Sequence, residues 1–253
     1  MDDLKLLIDL HVTAKRQGPG DATQTRRAIE LAGLAGLRNL EVADIGCGTG
    51  ASALVLAQDL ESRIAAVDAL PAFLAMLQSR AEQAGLADRI TPVNASMDRL
   101  PFEVESLDAI WSEGAIYNIG FENGVTQWRR YLKRDGILAV SELTWLTASR
   151  PTELEDHWRA QYPEVGTASS KLAVLERQGY APIGYFVLPE QCWLDAYYRP
   201  MQERFPAFLA RHGSSDAARA VVAAEALEID LYERYRAFVG YGYYIARKVE
   251  NGR

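Results

Sequence analysis

Asp44-Ile45-Gly46-Cys47-Gly48-Thr49-Gly50 follows directly on the strand-like run Leu40-Glu41-Val42-Ala43 and leads straight into the helix-forming Ala51-Ser52-Ala53-Leu54-Val55-Leu56-Ala57. A strand that ends in a glycine-rich turn and restarts as a helix is built to hold a ligand. Glycine permits positive φ and lets a ligand approach where a Cβ would stand, and the first turn of the helix presents unpaired N–H groups beside it. Gly46-x-Gly48-x-x-Ala51 also fits the dinucleotide pattern G-x-G-x-x-G/A. A dinucleotide, however, brings a pyrophosphate to this turn, and the carboxylate of Asp44 would oppose it. A cofactor carrying positive charge would instead be welcomed by Asp44.

The next strand reads Arg63-Ile64-Ala65-Ala66-Val67 and ends in Asp68, twenty residues after Gly48. A carboxylate at the tip of the second strand can accept both hydroxyls of a ribose. Loop, preceding acid and following acid together resemble the D-x-G-x-G signature of class I S-adenosylmethionine-dependent methyltransferases. That cofactor has no phosphate and carries a cationic amino group and a sulfonium. The resemblance covers about residues 11–145, and the remainder by strand order only. It looks closest to the ubiquinone/menaquinone-type group of small-molecule methyltransferases. Its members carry G-D-x-x-x-L-P-F after the third strand, bracketing the adenine. Here that segment reads Ala95-Ser96-Met97-Asp98-Arg99-Leu100-Pro101-Phe102. With Ser96 in the usual Asp position, the resemblance leaves Ser96 or Asp98 to meet the adenine amino group, with Met97 against the ring. It also implies that Gln17 and Gly18, in Gln17-Gly18-Pro19-Gly20, belong to a segment folding over the cofactor's methionine end. The cofactor-binding set it implies is completed by Asp44, Gly46, Cys47, Gly48, Gly50, Asp68, Ala69, Ser112 and Glu113.

The chain has 253 residues, with Asp+Glu 34 against Lys+Arg 27 and a net charge of −7. That balance argues against a nucleic-acid surface; Lys15, Arg16, Arg26 and Arg27 read as a solvated helix face. The amphipathic N-terminus with Asp2, Asp3 and Asp9 is unlike a signal peptide, and no apolar run approaches the roughly 20 residues of a membrane span. Two cysteines do not make a disulfide framework. The expectation is a protein of the reducing cytoplasm, without nucleic-acid or membrane partners. A homodimer is compatible with the sequence, which carries no signal for it.

Strand and helix patterns alternate from residue 40 to 145, with strands at 90–93, 107–111 and 137–143 and helices at 71–84 and 121–132. The N-terminus reads as helices over 3–16, with Leu4, Leu7, Ile8 and His11 on one face, and over about 22–36. Thr152-x-x-Glu155 reads as a capping box opening a helix at 153–161. A helix at 171–178, strands at 183–188 and 238–247, and two helices at 198–212 and 216–236 complete the chain. The fold expectation is α/β: a doubly wound, seven-stranded, mostly parallel sheet in one domain over 1–253. Residues 1–36 form N-terminal helices and a cofactor flap, and 189–236 a helical insertion before the last strand.

Ligands of such folds lie beyond the carboxyl ends of the strands. Trp111-Ser112-Glu113-Gly114-Ala115-Ile116-Tyr117-Asn118 should therefore border the reacting group. Glu113 and Tyr117 are candidate catalytic residues, with His157 a further candidate base. Glu113 equally suits capping the helix that follows, whose positive end attracts a carboxylate. His11, His157 and His212 are scattered, with no Cys/His/carboxylate spacing that matches a metal site; Glu153 and His157, four apart on one helix, read as a weak metal pair or, better, a local hydrogen bond. There is no Walker lysine and no nucleophile elbow. The aromatics Trp145, Trp158, Tyr162, Trp193, Tyr197 and Tyr198 suggest a dry pocket for an aromatic or apolar acceptor. The expected activity is methyl transfer from S-adenosylmethionine to a small-molecule O, N, S or C nucleophile. The alternative is a cofactor-binding regulatory or scaffold protein without turnover.

Overall fold

The computed structural model describes residues 3–250, so the first two residues of the expected 1–36 region lie outside the described residues. Its centre is a sheet in the order β3 (Ile90–Asn94), β2 (Arg63–Asp68), β1 (Glu41–Ile45), β4 (Leu107–Glu113), β5 (Leu132–Trp145), β8 (Val239–Lys248) and β7 (Tyr180–Val187). β3 through β5 are parallel, and β8 runs antiparallel between β5 and β7. The seven expected strands are all there. An eighth, β6 (Gly166–Thr167), adds two residues beside the end of β5. Strand order reverses between β1 and β4, where Asp44 pairs with Trp111. That switch point is where a doubly wound sheet opens a crevice for a ligand.

Both faces of the sheet are covered, as the unbroken apolar character of its inner strands requires. Val42, Ile64, Ala66, Ala109 and Trp111 point to one side and pack on α2 (Ala22–Leu31), α3 (Ala51–Asp59) and α4 (Pro71–Gln83). Ala43, Ile45, Val67 and Ile110 point to the other and meet α5 (Phe121–Trp128) and α7 (Ala168–Arg177). This period-two division of one strand between two cores is what fixes register.

Several boundaries differ from the sequence reading, each for a local reason. The first helix, α1 (Asp3–His11), stops five residues early. Leu6 and Leu10 are its buried positions, while Leu4 and Leu7 are exposed. α2 stops at Leu31 because Gly33, at φ +70°, closes it, with the Leu34 N–H bonding back to the Ile29 carbonyl. α5 ends at Trp128, a 3-10 turn covers Arg129–Tyr131, and β5 is already paired at Leu132. α6 (Thr152–Gln161) has no capping box: Pro151 holds the cap position, and Glu155 is drawn instead to Arg150 and Arg159. α7 opens three residues early on a Thr167 cap, and β7 opens at Tyr180.

The largest difference lies between β7 and β8. The expected helix at 198 is the continuation of one that starts at Glu190. It passes from α8 (Glu190–Trp193) through a π-helical turn (Leu194–Tyr198) into α9 (Arg199–Arg211). α10 (Asp216–Tyr235) then leads back to β8. Both α9 and α10 pack against α1, so the N-terminal helix and the insertion form one roof over the carboxyl ends of the strands.

Candidate functional site

The glycine loop turns where β1 ends. The N–H groups of Gly46 and Cys47 both donate to the Val67 carbonyl, at 2.8 and 3.0 Å, which pins the loop to β2. Gly46 has φ +75°, and a Cβ there would lie 2.3 Å from the Cβ of Ala115 and 3.5 Å from the Cε of Met97. Only glycine keeps that space open. Gly50, at φ +91°, serves packing, because a Cβ would strike Leu77 on α4 at 2.6 Å. A cavity of about 710 Å³ opens above the loop, within the roughly 300–1,000 Å³ typical of ligand sites. Its floor includes Gly46, Cys47, Gly48, Asp68 and Ala69, and its side wall Ser96 and Met97.

Asp68 stands at the end of β2 with both oxygens braced. Oδ2 accepts from the Gly48 N–H and Oδ1 from the Leu70 N–H, each at 2.9 Å. Burial raises its pKa against the opposing pull of these amides. A carboxylate has about four lone-pair sites, so two remain for hydroxyls of a ligand. Asp44 lies fully buried beneath the loop. Its Oδ2 accepts from Ser52 Oγ at 2.6 Å, and its Oδ1 has no partner. Burial, followed by the charges of Glu113 and Asp68, pushes its pKa up to about 7. An orphaned, buried carboxylate oxygen here suits a cationic ligand group, and two open acceptors on Asp68 suit a ribose. The residues present fit S-adenosylmethionine.

Gln17 and Gly18 also line the cavity. Gln17 is stitched to the loop: its Oε1 accepts from the Thr49 N–H at 2.9 Å, and its Nε2 donates to Thr49 Oγ1 at 3.0 Å and to the His11 carbonyl at 3.2 Å. Asp98 points to solvent and Ser112 is sealed in the sheet, its Oγ without a partner, so neither borders the cavity.

Glu113 borders the cavity but is not free. It is held by four donors: Arg16 Nη1 on Oε2 at 2.5 Å, and Thr25 Oγ1, Trp111 Nε1 and Tyr243 OH on Oε1 at 2.7, 3.0 and 3.0 Å. Burial alone would raise its pKa, but the Arg16 charge and these hydrogen bonds outweigh burial and lower it. Tyr117, on a 3-10 turn after β4, is 42% exposed and lines both the main cavity and an adjoining one of about 170 Å³. His157 sits on α6 outside both, its ring edge-on to Trp158. Glu153, its helix neighbour, is taken by Arg234 and Tyr235. Among the described residues no group of three or more His, Cys, Asp and Glu side chains could hold a metal ion.

A methyltransferase domain model matches residues 42–136, which span the loop, both acids and the strands on either side of the switch point. Residues 42–136 thus carry a methyltransferase domain, and the relatives and the fold together support a class I S-adenosylmethionine-dependent methyltransferase. The chain is 30% identical over 121 residues to a ubiquinone/menaquinone biosynthesis C-methyltransferase of Allorhizobium ampelinum, a match covering 47% of each chain. It thus spans about half the length of that relative. It is 26% identical over 187 residues to an uncharacterised protein of Haemophilus influenzae, over 65% of this chain and 74% of that one. In fold it is similar to a methyltransferase of Geobacter sulfurreducens solved with S-adenosyl-L-homocysteine, with a TM-score of 0.84 at 20% identity, covering 96% and 97% of the two chains.

Of the far wall of the cavity, the sequence reading includes Tyr197 but not the two acids beside it. Glu225 and Glu228 of α10 reach it, together with His11 of α1 and Tyr197 of the π turn. Glu228 Oε1 accepts from Tyr198 OH at 2.9 Å, and Glu225 lies 3.4 Å from His11 Nε2. A signal did exist: Val221, Glu225, Glu228 and Tyr232 share one helical face with the buried Ile229 beside it. Of the expected pocket aromatics, Trp158, Tyr162, Trp193 and Tyr197 line the adjoining cavity. Trp145 and Tyr198 line neither. Trp193 is only 1% exposed and stacks on Tyr232 at 4.4 Å, so most of it is core.

Proposed function

We propose that this methyltransferase moves a methyl group to a small-molecule nucleophile seated between the glycine loop and α10. One observation carries the reading: a single cavity runs from Gly46 and Asp68, past Glu113 and Tyr117, to Tyr197 and Glu228. One end has the chemistry of a cofactor site. The other is lined by aromatic and ionisable groups that the loop does not need.

When bound, S-adenosylmethionine supplies a methyl group already activated on a sulfonium. What remains for the protein is alignment and exclusion of water. Asp68 offers its free lone pairs to the ribose, Asp44 its orphan oxygen to positive charge, and Met97 and Ser96 a wall for the adenine. Gln17, tied to Thr49 on one side and to the His11 carbonyl on the other, closes the methionine end. Glu113 keeps that closure in place through Arg16. Tyr117 faces the acceptor end. His157 would need to move before it could take part. No helix among the described residues is long and apolar enough to cross a membrane.

The test is titration calorimetry with S-adenosylhomocysteine and with NAD, followed by methyl release from labelled S-adenosylmethionine. S-adenosylhomocysteine should bind and NAD should not. Asp68→Ala should weaken cofactor binding about ten-fold or more, the loss of roughly 1.5–3 kcal/mol from a charged acceptor. Unchanged affinity in Asp68→Ala, or tight NAD binding, overturns the assignment.

A further inference from the structure

Resting on the reading above, we infer that the acceptor is an amine, bound as its ammonium against Glu228 and the surrounding aromatic rings, with Glu228 taking its proton. The charges lining the cavity point to this class. Four acids reach it, Asp68, Glu113, Glu225 and Glu228, and the one Lys or Arg side chain that does is Arg16. Arg16 is committed to Glu113 at 2.5 Å. The adjoining cavity has Glu228 and no Lys or Arg at all. Among the described residues a carboxylate or phosphate acceptor would find no free cation on these walls, whereas an ammonium finds a carboxylate.

The rings support the same charge. Tyr117, Tyr197 and Tyr241 surround the Glu228 end, and Trp158, Tyr162 and Trp193 continue that wall. Aromatic faces attract an ammonium through the ring quadrupole, and most strongly where water is excluded. Two further observations single this place out. His11 lines it with its Nδ1 buried and unpartnered, a polar atom waiting for a ligand group. Tyr197 and Tyr198 are delivered by a π-helical turn, a distortion of the kind concentrated at functional sites.

Glu228 is suited to the proton step. Burial, and after it the neighbouring charge of Glu225, pushes its pKa up to about 7, against a hydrogen bond from Tyr198 that pulls it down. Facing it are Glu225 on its own helix, Tyr197 and Tyr198 on the π turn, Tyr241 on β8, Tyr117 beyond β4 and His11 on α1. In the step itself an N–H bond of the ammonium breaks and an O–H bond forms on Glu228. The electron pair stays on nitrogen as the nucleophile, and Glu228 later returns the proton to solvent. A carboxylate near neutrality is a stronger base for this than an ordinary one.

The experiment is calorimetry on the full chain loaded with S-adenosylhomocysteine. The probes are matched sets of amine, alcohol and carboxylate on benzyl, phenylethyl, indolylethyl and butyl frames. At least one amine should bind ten-fold or more tightly than its alcohol and carboxylate partners. Glu228→Gln should remove that preference while S-adenosylhomocysteine affinity stays within about two-fold. Glu225→Gln, which removes a like charge, should lower the Glu228 pKa and move the midpoint of amine binding to lower pH. This second variant reads the same group should Glu228→Gln fail to fold. Amines binding no better than their partners, or an unmoved midpoint, overturns the inference while the cofactor reading stands. Failure of S-adenosylhomocysteine to bind the wild type removes both.

Discussion

Replacing Glu113 by Gln separates the two roles open to it, base or brace. The side chains are nearly isosteric, so packing is preserved and only hydrogen bonding and charge change. Three donors, Thr25, Trp111 and Tyr243, converge on Oε1, and Arg16 alone meets Oε2. The amide oxygen will stay with the three, and its NH2 must then face the Arg16 guanidinium, donor against donor, in a site where the two side chains are 7% and 11% exposed. Breaking a buried ion pair on one side costs about 3–5 kcal/mol. For a chain of this size each kcal/mol is worth roughly 2–4 °C, so the melting temperature should fall by roughly 6–20 °C. Hydrogen exchange across residues 11–24 should quicken as Arg16 loses its anchor. Because the pKa of Glu113 is lowered on folding, its stabilisation is present above the ordinary glutamate range and is lost as pH falls through the folded value. The variant should therefore lose that part of the acid-side decline. A melt within about 2 °C of wild type, with unchanged exchange and collapsed turnover, would refute the bracing role and make Glu113 a participant in the reaction.

Asp44 gives a proton readout: its pKa near 7 should drop when a cationic cofactor group arrives, so binding near pH 7 should release a fraction of a proton. Calorimetry in buffers of different ionisation enthalpy should show the release in wild type and not in Asp44→Asn; equal release in both assigns it elsewhere. The stability sign is the reverse of that for Glu113, since a raised carboxyl pKa contributes stability below the unfolded value and loses it as pH rises through about 7. Gly46→Ala should abolish detectable cofactor binding, because its Cβ would fall 2.3 Å from Ala115 Cβ at a backbone φ of +75°; wild-type affinity in that variant would mean the loop has slack the structure does not show.

What the sequence revealed was local. Asp44, the glycines and Asp68 lie within one strand-loop-helix-strand unit, where spacing translates directly into position. The doubly wound sheet followed from alternation alone. The misses share one physical origin, which is that they depend on contacts between distant segments. α1 carries five apolar residues in its nine positions, so periodicity could not say whether Leu4, Leu7 and Ile8 or Leu6 and Leu10 would face the core; packing against α9 and α10 decided for the latter. Glu113 reads from the sequence as a candidate catalytic or capping residue, but its partners at 16, 25 and 243 come from three other parts of the chain. His11, on the apolar stripe of the first helix, packs on Tyr197 and meets Glu225, 214 residues away. Beyond the helical face they share, Glu225 and Glu228 carry no local signal that sets them apart from the other acids of a long helix, and reach the cavity only because the roof folds over it.

The four-donor clasp on Glu113 also bears on modularity. The segment matched by the domain model, 42–136, contains this carboxylate and Trp111 but neither Arg16, Thr25 nor Tyr243. Excised on its own, it would keep a glutamate at the end of β4 designed for burial, with one of its four partners. Three of the four donors to Glu113 therefore come from outside the recognisable domain. The N-terminal arm, through Arg16, Thr25 and Gln17, and the last strand, through Tyr243, are structural members of the cavity, and variation in either will be transmitted to the ends of β1 and β4.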